Sequence, residues 1–361
     1  MVVASEKPAI KTAFNINYEQ IQEVKPGHAL VINKDGSFAQ HQVIPPLKKT
    51  SCSFERVYFS RGTDPEIYQE RKRLGRLLVP QILKAINFDL KNTIFSYIPD
   101  TAETAFLGMM AGIEDYLINK QKDFILDGKP TIDSVEDILS FRPRMEKIVI
   151  KDVKLRTFIT DDDHRDEMVA HVYDTTYEVV NKGKDTLVVI DDSIVRGTTL
   201  EKSILKMLDR LGPKKIVVVS SAPQIRFPDC YGIDMSKMGD FVAFRAMIKL
   251  MKEKGKDYLL GEVYEQCQRA RLEDNPINYV KRLYEEFGYE EISNKIADIV
   301  RPEEMKAALQ VVYQTVENLH KAIPNHSGDW YFTGNFPTPG GMKVANKSYL
   351  NYMDGKLVRA Y

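Results

Sequence analysis

The segment that decides the fold is Thr186-Leu-Val-Val-Ile-Asp-Asp-Ser-Ile-Val-Arg-Gly-Thr-Thr-Leu200. It begins with a run of β-branched and aliphatic residues, which is typical of a buried strand. Two carboxylates and a loop of small residues follow the run. After the loop, Leu200, Ile204, Leu208 and Leu211 recur at the spacing of one helix face. The pattern therefore predicts a strand, a loop and a helix in succession.

Strands and helices alternate on both sides of this segment. We predict strands at residues 56–59, 93–98, 147–150, 186–190 and 215–220. The helices between them are predicted at residues 65–86 and 101–118, the first with Asp64 as its N-cap. Such alternation is typical of a parallel sheet that is covered by helices, so we predict an α/β fold.

The chain is predicted to have three parts. Residues 1–50 read as short strands and turns, and residues 51–290 form the α/β domain, with an insertion at about 120–145. Residues 291–361 form a helical region and a tail. There, Met305, Leu309, Val312 and Val316 recur at helical spacing and predict a helix at residues 302–322. The tail after residue 324 carries the single tryptophan, Trp330, as a packing anchor and is expected to wrap over the surface.

Composition excludes several classes of protein. The 51 basic residues balance the 51 acidic ones, so no overall charge favours nucleic acid or a membrane surface. No apolar run approaches the ~20 residues needed to cross a bilayer. Cys52, Cys230 and Cys267 form neither a metal-binding spacing nor a disulfide framework. We therefore expect a cytoplasmic protein with no nucleic-acid or membrane partner.

The loop after the central strand has the chemistry of a phosphate site. Ligands bind at the carboxyl ends of the strands in an open parallel sheet. Arg196-Gly-Thr-Thr199 precedes a helix, whose first amides and dipole favour an anion. The adjacent Asp191 and Asp192 point to opposite sides of the strand end, so at least one of them can reach ligand hydroxyls or a hydrated Mg²⁺. Asp191-Asp192 and Thr198-Thr199 taken alone are also compatible with ordinary helix capping.

The nine residues Asp191-Asp-Ser-Ile-Val-Arg-Gly-Thr-Thr199 resemble the phosphoribosyl pyrophosphate (PRPP) loop of type I phosphoribosyltransferases. The Ser-Ile-Val-Arg version is similar to that of the amidophosphoribosyltransferase family in particular. Further matches to this family follow in order along the chain, at residues 4–6, 24–27, 54–61, 68–75, 98–101, 156–159, 221–223 and 231–234. The resemblance thus spans almost the whole chain.

This resemblance implies a type I phosphoribosyltransferase fold and the first reaction of de novo purine synthesis. In that reaction ammonia and PRPP give 5-phosphoribosylamine and pyrophosphate. The catalytic residues implied are Asp191, Asp192 and Arg165, with Mg²⁺ on Asp191 and Asp192. The residues implied in PRPP binding are Asp191, Asp192, Ser193, Ile194, Val195, Arg196, Gly197, Thr198, Thr199 and Thr101.

The first fifty residues resemble the end of the family's glutaminase domain, whose nucleophile is an amino-terminal cysteine. Met stands at position 1, so we expect no glutamine hydrolysis by this chain and an ammonia supply from a glutaminase domain that it lacks. The resemblance also implies purine nucleotide inhibitors and a homo-oligomer.

The chain departs from the family in the mobile segment before the PRPP loop. Arg165 persists there, but Ala170 and Val172 stand where the family has cations that would neutralise departing pyrophosphate. Their loss leaves open a second hypothesis, a PRPP-binding regulator or noncatalytic subunit. A third, a phosphoribosyltransferase acting on a nucleobase, is weakened by the matches outside the loop.

Some family members hold an iron–sulfur cluster, with two of its cysteines in the carboxyl-terminal region. Cys52 and Cys230 lie near family ligand positions, but no cysteine follows Cys267. Two thiols cannot hold a four-cysteine cluster, so we expect no iron–sulfur cluster.

Overall fold

The computed structural model describes residues 1–128, 131–151, 173–230 and 235–360. Its strands, in chain order, are β1 (His28–Ile32), β2 (Phe38–Gln42), β3 (Thr93–Tyr97), β4 (Arg144–Met145), β5 (Val149–Lys151), β6 (Tyr173–Thr175), β7 (Thr186–Asp191), β8 (Lys215–Ser220) and β9 (Ala308–Tyr313).

The helices begin with α1 (Lys7–Phe14), α2 (Pro65–Leu77), α3 (Val79–Ala85), α4 (Glu103–Asp127), α5 (Ile132–Ser140) and α6 (Leu205–Arg210). They continue with α7 (Val242–Glu253), α8 (Tyr258–Ala270), α9 (Lys281–Glu285), α10 (Tyr289–Val300), α11 (Val316–Ala322), α12 (Trp330–Thr333) and α13 (Pro339–Met353). The π-helical turns Glu55–Phe59 and Leu200–Ile204 precede α2 and α6.

A five-stranded parallel sheet organises the molecule, in the order β4-β3-β7-β8-β9. The central strand β7 is buried on both faces. Leu187 and Val189 pack into the core on one face, and Val188 and Ile190 pack into the core on the other. Because both faces are buried, the sequence of this strand is a continuous apolar run and does not alternate between apolar and polar residues. The predicted α/β fold is confirmed.

Two strand predictions need correction. The predicted strand at residues 56–59 is wrong, because Glu55–Phe59 forms a π-helical turn. Phe54 and Val57, three residues apart, both enter the core, which is a helical spacing. Residues 147–150 overlap β5, but β5 pairs antiparallel with β6, and the short strand β4 takes the sheet edge instead.

The predicted helix at residues 302–322 is also wrong over most of its length. Residues Ala308–Tyr313 form the edge strand β9, and only Val316–Ala322 is helical. Leu309, Val311 and Tyr313 pack on one face of the sheet and Val312 on the other, which is the alternation of a strand.

The predicted N-cap and the predicted short strands near the amino terminus are present, and the predicted first helix is present in two parts. Asp64 caps α2 by accepting hydrogen bonds from the backbone N–H groups of Glu66 and Ile67. The predicted helix at 65–86 divides at Leu78, because Pro80 cannot donate the next helical hydrogen bond. Residues 1–50 contain the expected short strands as a hairpin, together with a helix, α1, that was not predicted.

The carboxyl-terminal segment belongs to the core and does not lie over the surface as expected. Trp330 and Tyr349 are almost completely buried, so the tryptophan is the predicted packing anchor. Gly328 pairs with the segment beside Cys52, where the Ser53 amide and hydroxyl both donate to the Gly328 carbonyl, the hydroxyl at 2.7 Å. The domain boundaries at 50/51 and 290/291 remain predictions.

Helices α2 and α4 cross at two glycines. A Cβ atom at Gly108 would lie 1.9 Å from the carbonyl oxygen of Lys72, and one at Gly75 would lie 1.8 Å from that of Ala105. The two helix backbones are therefore in direct contact, and a methyl group at either glycine must push them apart. In the part of the chain that the structure describes, no helix is long and apolar enough to cross a membrane.

We expect Gly108→Ala to destabilise the fold by about 3 kcal/mol, because the inserted methyl group meets backbone rather than a movable side chain. Gly261→Ala is the matched control: Gly261 lies in α8, and no atom is within 4 Å of the position of its Cβ. Alanine there should raise stability by about 0.5–1 kcal/mol. Urea unfolding followed by circular dichroism measures both, and equal effects would contradict the proposed helix contact.

Candidate functional site

The site lies at the carboxyl edge of the sheet. Asp191 ends β7 and is in register with Ser220 at the end of β8, which is in register with Tyr313 at the end of β9. The backbone N–H of Ser221 donates to the Asp191 carbonyl and that of Ala222 to the Asp192 carbonyl, both at 2.9 Å. These bonds continue the ladder beyond the strands and fix the two aspartates at the edge.

The two carboxylates lie side by side in a poorly solvated position. The Asp192 amide donates to Asp191 Oδ1 at 2.9 Å, and the Ser193 hydroxyl donates to Asp192 Oδ1 at 2.7 Å. Burial raises the pKa of Asp191 well above its usual range, and the neighbouring Asp192 charge adds to the rise. Burial also raises the pKa of Asp192, to about 6, against the opposing effects of Ser193 and Arg71.

Thr101, the predicted PRPP contact outside the loop, reaches this pair. Its side chain lies near the Asp192 carboxylate and lowers the pKa of that group. The neighbouring Asp100 forms an ion pair with Lys151, with 3.1 Å between Asp100 Oδ2 and Lys151 Nζ. The segment after β3 thus brings a hydroxyl and a carboxylate close to the aspartates, and β5 supplies the lysine that pairs with this carboxylate.

Arg71 is a buried cation near Asp192 that the sequence analysis missed. Its guanidinium donates to the backbone carbonyls of Arg56, Tyr58 and Ser60, so it holds the π-helical turn in place. Its charge lowers the pKa of Asp192. The available signal was its position on α2 between Ile67 and Leu74, on the buried face of that helix.

Two tyrosines flank the carboxylates. Burial, followed by the charges of Asp191 and Asp100, raises the pKa of Tyr173 to about 12. Burial and the charges of Asp192 and Asp191 also raise the pKa of Tyr58. Both phenols therefore keep their protons at neutral pH and can donate hydrogen bonds. Their segments, the π-helical turn and β6, meet only in the folded chain.

The predicted phosphate loop runs from Ser193 to the helix start at Thr198. Gly197 has a φ of +75°, and a Cβ atom there would lie 2.7 Å from Val300 Cγ1, so glycine suits both its conformation and its close packing. The side chain of Ile194 is buried in the core and that of Val195 packs against it. These two residues can therefore serve a ligand only through their backbone.

The structure brings most of the predicted site residues together. These are Asp191, Asp192, Ser193, Ile194, Val195, Arg196, Gly197, Thr198, Thr199 and Thr101. Arg165, Ala170 and Val172 lie outside the described residues, as do the matches at residues 156–159 and 231–234. Within the described ranges, no group of three or more His, Cys, Asp or Glu side chains is arranged to hold a metal.

We expect Asp192→Asn to stabilise the ligand-free protein at pH 8. A carboxyl group whose folded-state pKa is raised to about 6, from an unfolded value of ~3.9, favours folding while protonated and loses that contribution as the pH rises through 6. Asn resembles the protonated form at every pH. The gain should be about 3 kcal/mol at pH 8 and roughly half of that at pH 5.

Thermal unfolding at both pH values, with a chelator present, measures this difference. The exposed Asp133 on α5 provides the control, since Asp133→Asn should change stability little at either pH. A destabilisation by Asp192→Asn that is the same at both pH values would instead indicate that its hydrogen bonds outweigh the cost of its burial.

Comparison with known proteins adds independent information. No protein-family model matches the chain. The amidophosphoribosyltransferase of Pseudomonas aeruginosa is 28% identical over 271 residues, which cover 72% of this chain and 46% of that protein. That of Escherichia coli is 26% identical over 287 residues, covering 76% of this chain and 49% of that protein. The chain spans about half the length of the curated relatives that it matches.

Solved structures show the same fold. The glutamine PRPP amidotransferase of Bacillus subtilis, complexed with ADP and GMP, aligns with a TM-score of 0.52 at 23% identity. The alignment covers 88% of this chain and 53% of the Bacillus subtilis chain. The recognition from the sequence is confirmed: over about 70% of its length, this chain is a homologue of the amidophosphoribosyltransferases.

Proposed function

We propose that this chain catalyses the phosphoribosyltransferase step, in which ammonia and PRPP give 5-phosphoribosylamine and pyrophosphate. The observation that carries the proposal is the arrangement at the end of β7. There, two adjacent carboxylates are followed directly by a glycine-containing loop that leads into a helix. The similarity to amidophosphoribosyltransferases agrees with this assignment.

The ligand groups are assigned by charge. The loop from Ser193 to Thr199 binds the 5-phosphate through backbone N–H groups and the Ser and Thr hydroxyls, aided by the helix that follows. Asp191 and Asp192 accept hydrogen bonds from the ribose hydroxyls. Thr101, whose side chain lies near Asp192, is assigned to the pyrophosphate side, and Arg165 is proposed to neutralise the departing group.

The aspartate pair fits Mg²⁺. Their oxygens are the hard ligands that this ion prefers, and one or two carboxylates together with substrate phosphates complete its usual coordination. The raised pKa values reflect two desolvated carboxylates that a divalent cation would stabilise in their charged form. Bound Mg²⁺ would neutralise the charge of the pyrophosphate group as it departs.

The chain itself supplies position and charge. With the 5-phosphate and the ribose held in place, the bond from C1 to the pyrophosphate oxygen breaks as ammonia attacks the opposite face of C1, with inversion. The new amine gives up one proton to solvent. Ammonia is already a nucleophile and pyrophosphate a good leaving group, so positioning and electrostatic stabilisation provide most of the rate.

The remaining features of the proposal follow from the family. Ammonia comes from a glutaminase domain, purine nucleotides inhibit the reaction, and the protein works in the cytoplasm as a homo-oligomer.

The test is pyrophosphate release from PRPP and Mg²⁺ with ammonium, with glutamine or with no nitrogen donor. We expect release with ammonium only. The double variant Asp191→Asn/Asp192→Asn should lower the rate by at least about a hundredfold, because it removes preorganised charge at the reacting group. Asp133→Asn/Asp137→Asn removes two exposed acids from α5 and should leave the rate unchanged.

Each outcome distinguishes between the hypotheses. Tight PRPP binding without release under any donor would reject catalysis and support the noncatalytic subunit. Release that needs a nucleobase instead of ammonium would support the third hypothesis. A wild-type chain that does not bind PRPP would contradict all three.

A further inference from the structure

Arg245 contacts the phosphate loop from a distant helix. It lies in the first turn of α7, and its Nη2 atom donates to the carbonyl oxygen of Arg196 at 2.6 Å. The backbone N–H of Val242, at the start of the same helix, donates to the carbonyl oxygen of Val195 at 2.9 Å. Two consecutive carbonyl groups of the loop are therefore turned toward α7.

These contacts orient the opposite face of the loop. In a trans peptide the C=O of one residue and the N–H of the next point in opposite directions. The N–H groups of Arg196 and Gly197 therefore point away from α7. Gly197 is left-handed, with a φ of +75°, and successive N–H groups in such a turn form a concave anion site.

Arg245 also brings positive charge to this loop. Its Nε atom is buried and has no hydrogen-bond partner, and no acidic side chain pairs with Arg245 within the described ranges of the chain. The cation of the loop itself, Arg196, is partly neutralised by Asp240 at 3.6 Å. A ligand anion at the loop would thus lie near a guanidinium whose charge no carboxylate balances.

We propose that Arg245 is a positioning residue for the 5-phosphate of PRPP. It fixes the peptide between Arg196 and Gly197 so that the loop N–H groups face the phosphate, and it adds a positive charge behind them. The inference rests on the proposed function, because it assigns the same loop to the 5-phosphate.

The two ends of PRPP can be tested separately, with ribose 5-phosphate and with pyrophosphate plus Mg²⁺ as probes in titration calorimetry. We expect Arg245→Gln to weaken ribose 5-phosphate binding about tenfold and to leave pyrophosphate binding unchanged. In turnover it should raise KM for PRPP by a similar factor while kcat changes little, as for an interaction that is equal in ground and transition states.

The chain offers a matched control and a conservative variant. Lys249 lies one turn further along α7 and is exposed, so Lys249→Gln removes the same charge without touching the loop and should leave both affinities unchanged. Arg245→Lys keeps the charge and should recover most of the ribose 5-phosphate affinity. It also keeps the test valid if Arg245→Gln does not fold, because Arg245→Lys should then still weaken that affinity more than Lys249→Gln does.

Three results would overturn the inference. One is that Arg245→Gln binds ribose 5-phosphate as tightly as the wild type. Another is that it loses affinity equally for ribose 5-phosphate and for pyrophosphate, which would indicate a general effect on folding or charge. The third result applies if only Arg245→Lys folds. In that case the inference is overturned if Arg245→Lys binds ribose 5-phosphate as tightly as Lys249→Gln does. A wild-type protein that binds neither probe would reject the proposed function and this inference with it, whereas the first two results leave the proposed function intact.

Discussion

The parallel pairing of β3, β7, β8 and β9 is the constraint on which the rest of the structure depends. Parallel strands end at one edge of a sheet, so the residues that follow each strand gather there from distant parts of the sequence. The register of β7 with β3 and β8 places Asp191 opposite Ser220, at the point where the buried part of the strand ends. The fold itself therefore places Asp191 and Asp192 at this edge.

Burial and charge oppose one another at this edge. Two adjacent carboxylates in a desolvated position cost folding energy, and the neighbouring groups reduce that cost only in part. A cationic or hydroxyl-rich ligand would supply the missing interactions. The arrangement thus exchanges some stability of the free protein for complementarity to a ligand, as is common where polar groups are concentrated at a binding site.

The sequence predicted the centre of the fold well and its periphery poorly. The strand, loop and helix from Thr186 onward are local and strongly patterned, so these elements could be predicted, while the roles of the residues on them stay predictions. Residues 302–322 were misleading, because Met305, Leu309 and Val312 match a helical spacing by coincidence while the strand places alternate residues in the core. Arg71 and Arg245 were missed because only the folded chain brings them to the loop and the aspartates.

The pairing of Gly328 with Ser51 and Ser53 has a consequence for the order of folding. Strands β3, β7, β8 and β9 are adjacent in the sheet in the same order as in the chain, so the sheet can grow strand by strand as the polypeptide is synthesised. The contact between Ser53 and Gly328 joins residues 275 positions apart and cannot form until nearly all of the chain has been made. The segment before α2 must therefore wait, unpaired at this contact, until the carboxyl-terminal part arrives to complete the core.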